Sequence, residues 1–345
     1  MRLLFYMKIT LAFIILLLAF IPAHSQNSFT TKYLGIENGL SNNVVTAIFR
    51  DHNGFMWFGT YDGLNKYDGY GFKVFRNIIG DSNSINSNII NKIDEDYQHN
   101  LWIGGQRDVS VYNPVTAKFS TPSYILSNGE LKRSLKDNVV EVKVVDKDNI
   151  LIGTEHNGLF YFGKNDTGKQ VTCIDDGKSV EDYYVSAITY DSLQKIAYIF
   201  IQNRGLFVYT PATHQLVKKN STIQNANNLL YDHEGNLWLG GNNGLHVYDS
   251  KTNSFSASYV PNKTSVTSLL EDREGRLWIA SDGSGIFLLQ RRQKMAIPFA
   301  SIYQDGGLQI KSNSIYSIFE DGQKRKWIGT LRGGVNILEP KSKAI

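Results

Sequence analysis

The stretch YDHEGNLWLGGNNGLHVYD at residues 231–249 is followed, about forty residues on, by LEDREGRLWIASDGSGIFLL at 270–289. Each reads as an apolar run, an Asp-x-x-Gly turn, a short run around a Trp, a second Gly turn and a closing apolar run. With the Trp position as the ruler, seven copies are found, at Trp57, Trp102, Leu151, Tyr198, Trp238, Trp278 and Trp327, spaced 40 to 49 residues apart. That is the length of four short strands with their turns, and it is the period of a ring of stacked sheets. The strand-like texture excludes a solenoid of helix pairs.

Each part of the unit has a physical reason. VVTAIFRD (44–51), NNLLYD (227–232) and IYSIFED (315–321) are apolar at most positions, as strands are when both faces are covered. The turns DHNG, DHEG and DREG put Asp51, Asp232 and Asp272 where a carboxylate accepts backbone N–H bonds. They read as turn formers rather than calcium ligands, because no string of further oxygen donors accompanies them. In the second strand the Trp and the residue after it (Phe58, Ile103, Leu239, Ile279 or Ile328) point to opposite faces, so both faces are buried. A Trp in five of seven copies reads as a wedge between sheets, not a ligand platform.

The chain start is a different text. Arg2 and Lys8 precede an apolar run of about 13 residues, Ile9 to Ile21, and Ala23 and Ser25 are small residues ahead of Gln26. This predicts a secretory signal peptide over 1–25, since a membrane span needs roughly 20 apolar residues. Of 36 Lys and Arg residues, 34 remain after Gln26 against 32 Asp and Glu, so charge implies neither a nucleic acid nor a membrane surface as partner. Cys173 is the single cysteine and no internal disulfide can form. The exported part is expected to be periplasmic and not to insert in the membrane.

Several copies continue into a fourth strand, as in FSTPSY (119–124) and FSASYV (255–260), but the seventh ends at GGVNILEPKSKAI without one. FTTKYL, just ahead of the first copy, resembles those outer strands. Residues 29–36, with the strand itself at 30–36, are therefore expected to complete the last sheet and remove an open edge. The expected fold class is all-β: a single seven-bladed β-propeller of four-stranded blades over 26–345, closed by an N-terminal strand.

GLSNNVVTAIFRDHNGFMWFGTYDGLNKYDGYGFKVFR, with the later copies NNLLYDHEGNLWLGGNNGLHVYD and VTSLLEDREGRLWIASDGSGIFLL, resembles the two-component regulator propeller repeats of Bacteroidetes-type hybrid sensors. A WD40 assignment fits less well, because the Gly-His and terminal Trp-Asp signatures are missing. The resemblance implies the periplasmic sensing part of a longer chain, with a second propeller, an Ig-like domain, a membrane span and a histidine kinase behind it. It also implies an oligosaccharide ligand. Residues 1–345 contain one propeller and no second span or kinase segment, so the expectation is a fragment, a truncated sensor or a free binder; further sensor domains, a histidine kinase and a homodimer are the protein partners considered.

Enzyme signatures are scarce. The seven histidines show no metal-ligand spacing, and His52, His99 and His233 fall in first hairpin turns where solvated side chains are ordinary. No Gly-x-Ser-x-Gly elbow occurs, and neither a metal nor a cofactor is expected. The alternative reading is a secreted propeller enzyme acting on polysaccharide, a lyase or glycosidase. The binding site is expected where the loops between second and third strands surround the channel mouth. These offer Tyr61, Asp62, Arg107, Asp108, His156, Arg204, Asn242, Asp282 and Arg332. Arg107, Arg204 and Arg332 come from different copies, and convergent guanidinium groups favour an acidic or sulfated oligosaccharide. Asp62, Asp108, Glu155 and Asp282 share those loops and could neutralise them.

Overall fold

The computed structural model describes residues 29–163, 167–175, 178–180, 182–290, 293–302 and 310–341; the signal peptide expected at 1–25 lies outside them. Seven sheets, the blades, follow one another along the chain: blade 1 over 45–75, blade 2 over 90–120, blade 3 over 139–170, blade 4 over 185–220, blade 5 over 228–255, blade 6 over 265–298 and blade 7 over 315–340 with 29–34. Blade 1 is built from Val45–Arg50, Met56–Thr60, Gly63–Tyr67 and Phe72–Phe75, in that order from the axis outward. The first strands of neighbouring blades contact one another all the way round, including the seventh with the first, so they form the wall of a closed ring.

The last blade joins both ends of the described chain. Ile315–Glu320, Lys326–Thr330 and Val335–Pro340 supply three strands and Phe29–Leu34 the fourth, in antiparallel register from Phe29 opposite Pro340 to Leu34 opposite Val335. The closing strand starts one residue before the expected 30–36 and stops two residues short of its end, because a 3-10 turn at Ile36–Asn38 takes over. There Asn38 Oδ1 accepts the Gly35 N–H at 2.9 Å. Phe29 is buried and meets Trp278 of blade 6 edge-on at 6.3 Å, so closure ties three elements together.

Blade 3 (Val139–Asp146, Asn149–Thr154, Leu159–Phe162, Thr167–Gln170) carries two extra outer strands, Ser123–Ile125 and Leu131–Lys132. Ser123–Ile125 runs parallel to Thr167–Gln170. A separate two-stranded hairpin, Cys173–Asp175 with Lys178–Val180, stands between blades 3 and 4. These additions follow from the longer 45 to 49 residue spacings in the first half of the chain.

The Trp of each copy is a wedge, as its recurrence predicts. Trp57 sits in a buried cluster with Ile90, Ile103 and Tyr112 of blade 2, and Trp327 in one with Val45, Met56 and Phe58 of blade 1. The turn Asp holds it there. In all five Trp copies the indole N–H donates to the Asp six residues earlier, at 2.7 to 2.8 Å: Asp51, Asp96, Asp232, Asp272 and Asp321. The other oxygen of the same carboxylate caps the hairpin, accepting for example Phe55 N–H at 2.9 Å and Asn236 N–H at 2.8 Å. One side chain thus shapes the turn and fixes the wedge, with charge-assisted bonds inside a poorly hydrated site. No helix among the described residues is long and apolar enough to cross a membrane.

Candidate functional site

Five residues before each turn Asp, the first strand presents a side chain at the channel wall. Counted along the chain these are Thr46, Asn91, Glu141, Ser186, Asn227, Thr267 and Tyr316. Short polar members hydrogen-bond across to the next blade. Asn91 Nδ2 donates to Val139 O at 2.8 Å and Ser186 Oγ to Ala226 O at 2.6 Å; Thr46 donates to Ile90 O and Thr267 to Ile315 O. In blade 5 the neighbouring Asn228 does this work, reaching Val266 O at 3.2 Å. The result is a belt around the mouth that satisfies backbone carbonyls left over at the blade seams.

Glu141 and Tyr316 break the belt, and the chemistry of the channel gathers at these two positions. Beside Glu141, Lys92 Nζ lies 3.2 Å from its carboxylate. Burial pushes the Glu141 carboxyl above its ordinary range, opposed by Lys92 and Lys143. Asp94, on the same wall, is likewise pushed up by burial, while Lys143 and the Val144 N–H, 2.8 Å away, draw it back. The seam of blades 2 and 3 therefore holds two carboxylates and two lysines in a shielded cluster. Reading the first strands as apolar at most positions did not single it out. The signal was present, since KID (92–94) and VEVKV (140–144) alternate charged with apolar residues at period two.

Across the channel, Tyr316 of blade 7 has its phenol pushed above the usual range by burial, then by the nearby Asp282 of blade 6 and Tyr61 of blade 1. Three consecutive blades in the ring thus bring two phenols and a carboxylate to one part of the mouth. Tyr61 and Asp282 were expected there, and Tyr316 is the added member. Tyr184, raised by burial and then by Glu155, marks a second aromatic position where blade 3 meets blade 4.

The remaining expected residues divide. Arg107, Asn242 and Arg332 are exposed on the second-to-third-strand loops, and Asn242 Oδ1 accepts Ser265 Oγ at 3.1 Å. Asp62 is exposed and paired with Arg76 at 2.9 Å. His156 is largely exposed, and its Nδ1 lies 2.9 Å from Asp137, which raises the imidazole's pKa. Two are engaged by the insertions. Asp108 is buried, accepting Tyr124 OH at 2.6 Å, Ser134 Oγ at 2.5 Å and Leu135 N–H at 3.0 Å, so its carboxylate anchors the extra outer strands of blade 3. Arg204 turns to Asp175 at 2.8 Å, where Lys218 at 2.7 Å completes a triad on the two-stranded hairpin. The three arginines do not form one converging set: Arg204 is engaged, and Arg107 and Arg332 remain on exposed loops. Neither insertion has a counterpart in the other copies, so the repeat pattern could not foretell these pairings.

Elsewhere, clefts lie in the seams between blades. One of about 730 Å³ opens between blades 2 and 3 beside Trp102 and Phe162, and one of about 370 Å³ between blades 5 and 6 beside Trp238 and Tyr259. Another of about 430 Å³ lies by Thr222–Asn225 and His246.

Comparison with known proteins agrees with the repeat. Residues 39–62 and 260–283 match the family model described as two component regulator propeller. A stretch of 63 residues is 46% identical to a histidine kinase of Formosa agariphila, covering 18% of this chain and 5% of that protein. Among solved structures, the extracellular domain of a hybrid two component system from B. thetaiotaomicron superposes with a TM-score of 0.72 at 25% identity, over 91% of this chain and 42% of the other. A second such domain from the same organism gives 0.69 at 19% identity, over 93% and 44%. The chain thus spans less than half the length of these relatives. Virginiamycin B lyase from Staphylococcus aureus, at a TM-score of 0.66 and 12% identity over 90% and 99%, shares the fold alone.

Proposed function

We propose that this two-component regulator propeller is an exported ligand-binding sensor domain that recognises an oligosaccharide at its channel mouth. The observation that carries the reading is the electrostatic proximity of Tyr316 to Asp282 and Tyr61, from three adjacent blades, across the channel from a wall bearing Lys92, Asp94, Glu141 and Lys143. Phenol faces stack on the apolar faces of sugar rings, and carboxylates and ammonium groups exchange hydrogen bonds with ring hydroxyls. The likeness to extracellular domains of hybrid two component systems supports an input role, with transmission left to segments beyond this propeller. Arg107 and Arg332, exposed on the mouth loops, favour an acidic or sulfated glycan over a neutral one.

Calorimetric titration with a panel of neutral, uronic and sulfated oligosaccharides tests this. Tyr316→Ala and Tyr61→Ala are each expected to weaken binding about tenfold, the upper end of what an aromatic contact contributes. Arg107→Ala with Arg332→Ala should reduce affinity for the anionic members alone. No binding by any glycan, or affinity indifferent to both tyrosines, would overturn the proposal.

A further inference from the structure

On the opposite face of the ring, where first strands turn into second strands, blades 1 and 2 (first two strands Ile90–Glu95 and Leu101–Gly105) meet at an unusual trio. The Glu95 carboxylate is held by a backbone bond from His52 N–H to Oε2 at 3.0 Å, leaving Oε1 facing two imidazoles. His52 Nδ1 is 2.5 Å from Oε1 and His99 Nδ1 is 3.6 Å from it. The two rings are stacked, 3.6 Å between centroids. Both histidines are exposed in their turns as expected, and they are also paired with one carboxylate and with each other.

The repeat shows how specific the arrangement is. At the seam of blades 5 and 6, His233 N–H donates to Glu271 in the same way, but the position matching His99 is Gly275. At the seam of blades 6 and 7, Arg273 N–H donates to Glu320 and the matching position is Lys324. The trio of two imidazoles and a carboxylate thus appears at one of these three equivalent seams. His99 also sits at φ 66°, where Gly54, Gly235 and Gly275 have φ of 90°, 87° and 72°. A left-handed backbone suits glycine and is strained for other residues, so His99 puts a ring where the turn ordinarily carries no side chain.

We propose that His52, Glu95 and His99 bind a single divalent transition-metal cation, of the zinc, nickel or cobalt type. One ligand atom from each of the three lies within 4.8 Å of the other two. Donors about 2.0–2.1 Å from a tetrahedral ion stand roughly 3.3 Å apart, and because the two rings are stacked 22° from parallel, the imidazoles must splay for both in-plane lone pairs to reach one ion. Two imidazole nitrogens and one carboxylate oxygen are borderline donors that suit these ions over calcium or magnesium, which select oxygen alone. A cation bound by both ring nitrogens and the carboxylate also replaces the contact of two imidazoles competing for one carboxylate oxygen. The site is open to solvent, leaving coordination positions for water or a ligand from outside.

Calorimetric titration of the untagged chain with zinc chloride, and separately nickel chloride, tests the site. One equivalent per chain is expected. His99→Gly should weaken binding at least tenfold while the metal-free melting temperature is kept or raised, because glycine occupies the matching positions 54, 235 and 275. Glu95→Gln should weaken binding as well, and His233→Ala should leave it unchanged. The melting temperature of the parent should rise with zinc and that of His99→Gly should not. Absence of stoichiometric binding, or binding equal in the parent, His99→Gly and His52→Gln, would overturn the proposal.

Discussion

Asp272 shows how much of this molecule rests on single carboxylates. It accepts Trp278 Nε1–H at 2.7 Å, Arg276 N–H at 2.9 Å and Arg276 Nε–H at 2.8 Å, and is buried. Asp272→Ala leaves at least two buried donors without an acceptor, at about 1–3 kcal/mol each, so a loss of about 3 kcal/mol is expected in denaturant unfolding. Asp62→Ala, which removes an exposed partner of Arg76, should change stability by about 0.5 kcal/mol or less. The pH dependence has a definite sign. Burial pushes the Asp272 and Asp321 carboxyls up, but hydrogen bonds from Trp278 and Arg276, and from Trp327 and Arg325, outweigh it and hold both below the usual range. Their contribution is complete above the unfolded carboxylate value of about 4 and is lost as pH falls through the lower folded value. Thermal melts should therefore drop below about pH 4, and the gap between the parent and Asp272→Ala should narrow there. Asp94 and Glu141, raised by burial, act in the opposite direction. A gap that stays constant to pH 3 would refute the linkage.

At the scale of the blade, five of the seven second strands carry a glycine two residues after the Trp position, and blade 6 carries Ala280, because the next blade leaves little room. A Cβ at Gly59 would stand 2.7 Å from Ile90 Cγ2, at Gly153 2.6 Å from Val185 Cγ1, and at Gly240 2.6 Å from Val266 Cγ1. Blade 4 (Val185–Asp191, Ile196–Ile201, Gly205–Thr210, Gln215–Asn220) inverts the pair. Phe200 stands in the glycine position, Ala226 takes the place of the branched residue, and both are fully buried in one cluster. Trimming the branched residue to Ala226 opens part of the space that Phe200 fills at the glycine position. Ala226→Val should cost about 1–3 kcal/mol by overpacking and Phe200→Ala about 3–5 kcal/mol by cavity formation. The double variant should be more stable than the sum of the two losses predicts, by 0.5 kcal/mol or more in a double-mutant cycle. Strict additivity would show that the two do not share the space.

The ring as a whole depends on its seam. Phe29–Leu34 pairs along its full length with Val335–Pro340, residues some three hundred positions away, and buries Phe29 against Trp278 and Phe299. Without it the last blade presents an open, largely apolar edge. A chain beginning at Gly35 is expected to melt at a markedly lower temperature or to aggregate. A cooperative transition at the parental temperature would show that closure contributes nothing. Closure also keeps blades 6, 7 and 1 adjacent, and therefore keeps Asp282, Tyr316 and Tyr61 together, so the same truncation should weaken ligand binding.

The repeat, its period and its unpaired last strand were legible in the sequence, because they follow from local rules: turn chemistry, alternation of buried faces and the need to cover an edge. The wedge role of the Trp was legible for the same reason. The bond from its indole to the turn Asp was not, since sequence spacing alone does not say how a hairpin folds back. Tertiary structure decided the site. Glu141 and Tyr316 stand out only once the copies are aligned on the channel wall, and Asp108 and Arg204 were drawn away by insertions peculiar to one side of the ring. His52, Glu95 and His99 come from two blades, and the stacking of hairpin turns around an axis brings them within reach of one ion. A repeat determines what each blade is; which side chains meet depends on the geometry of the closed ring.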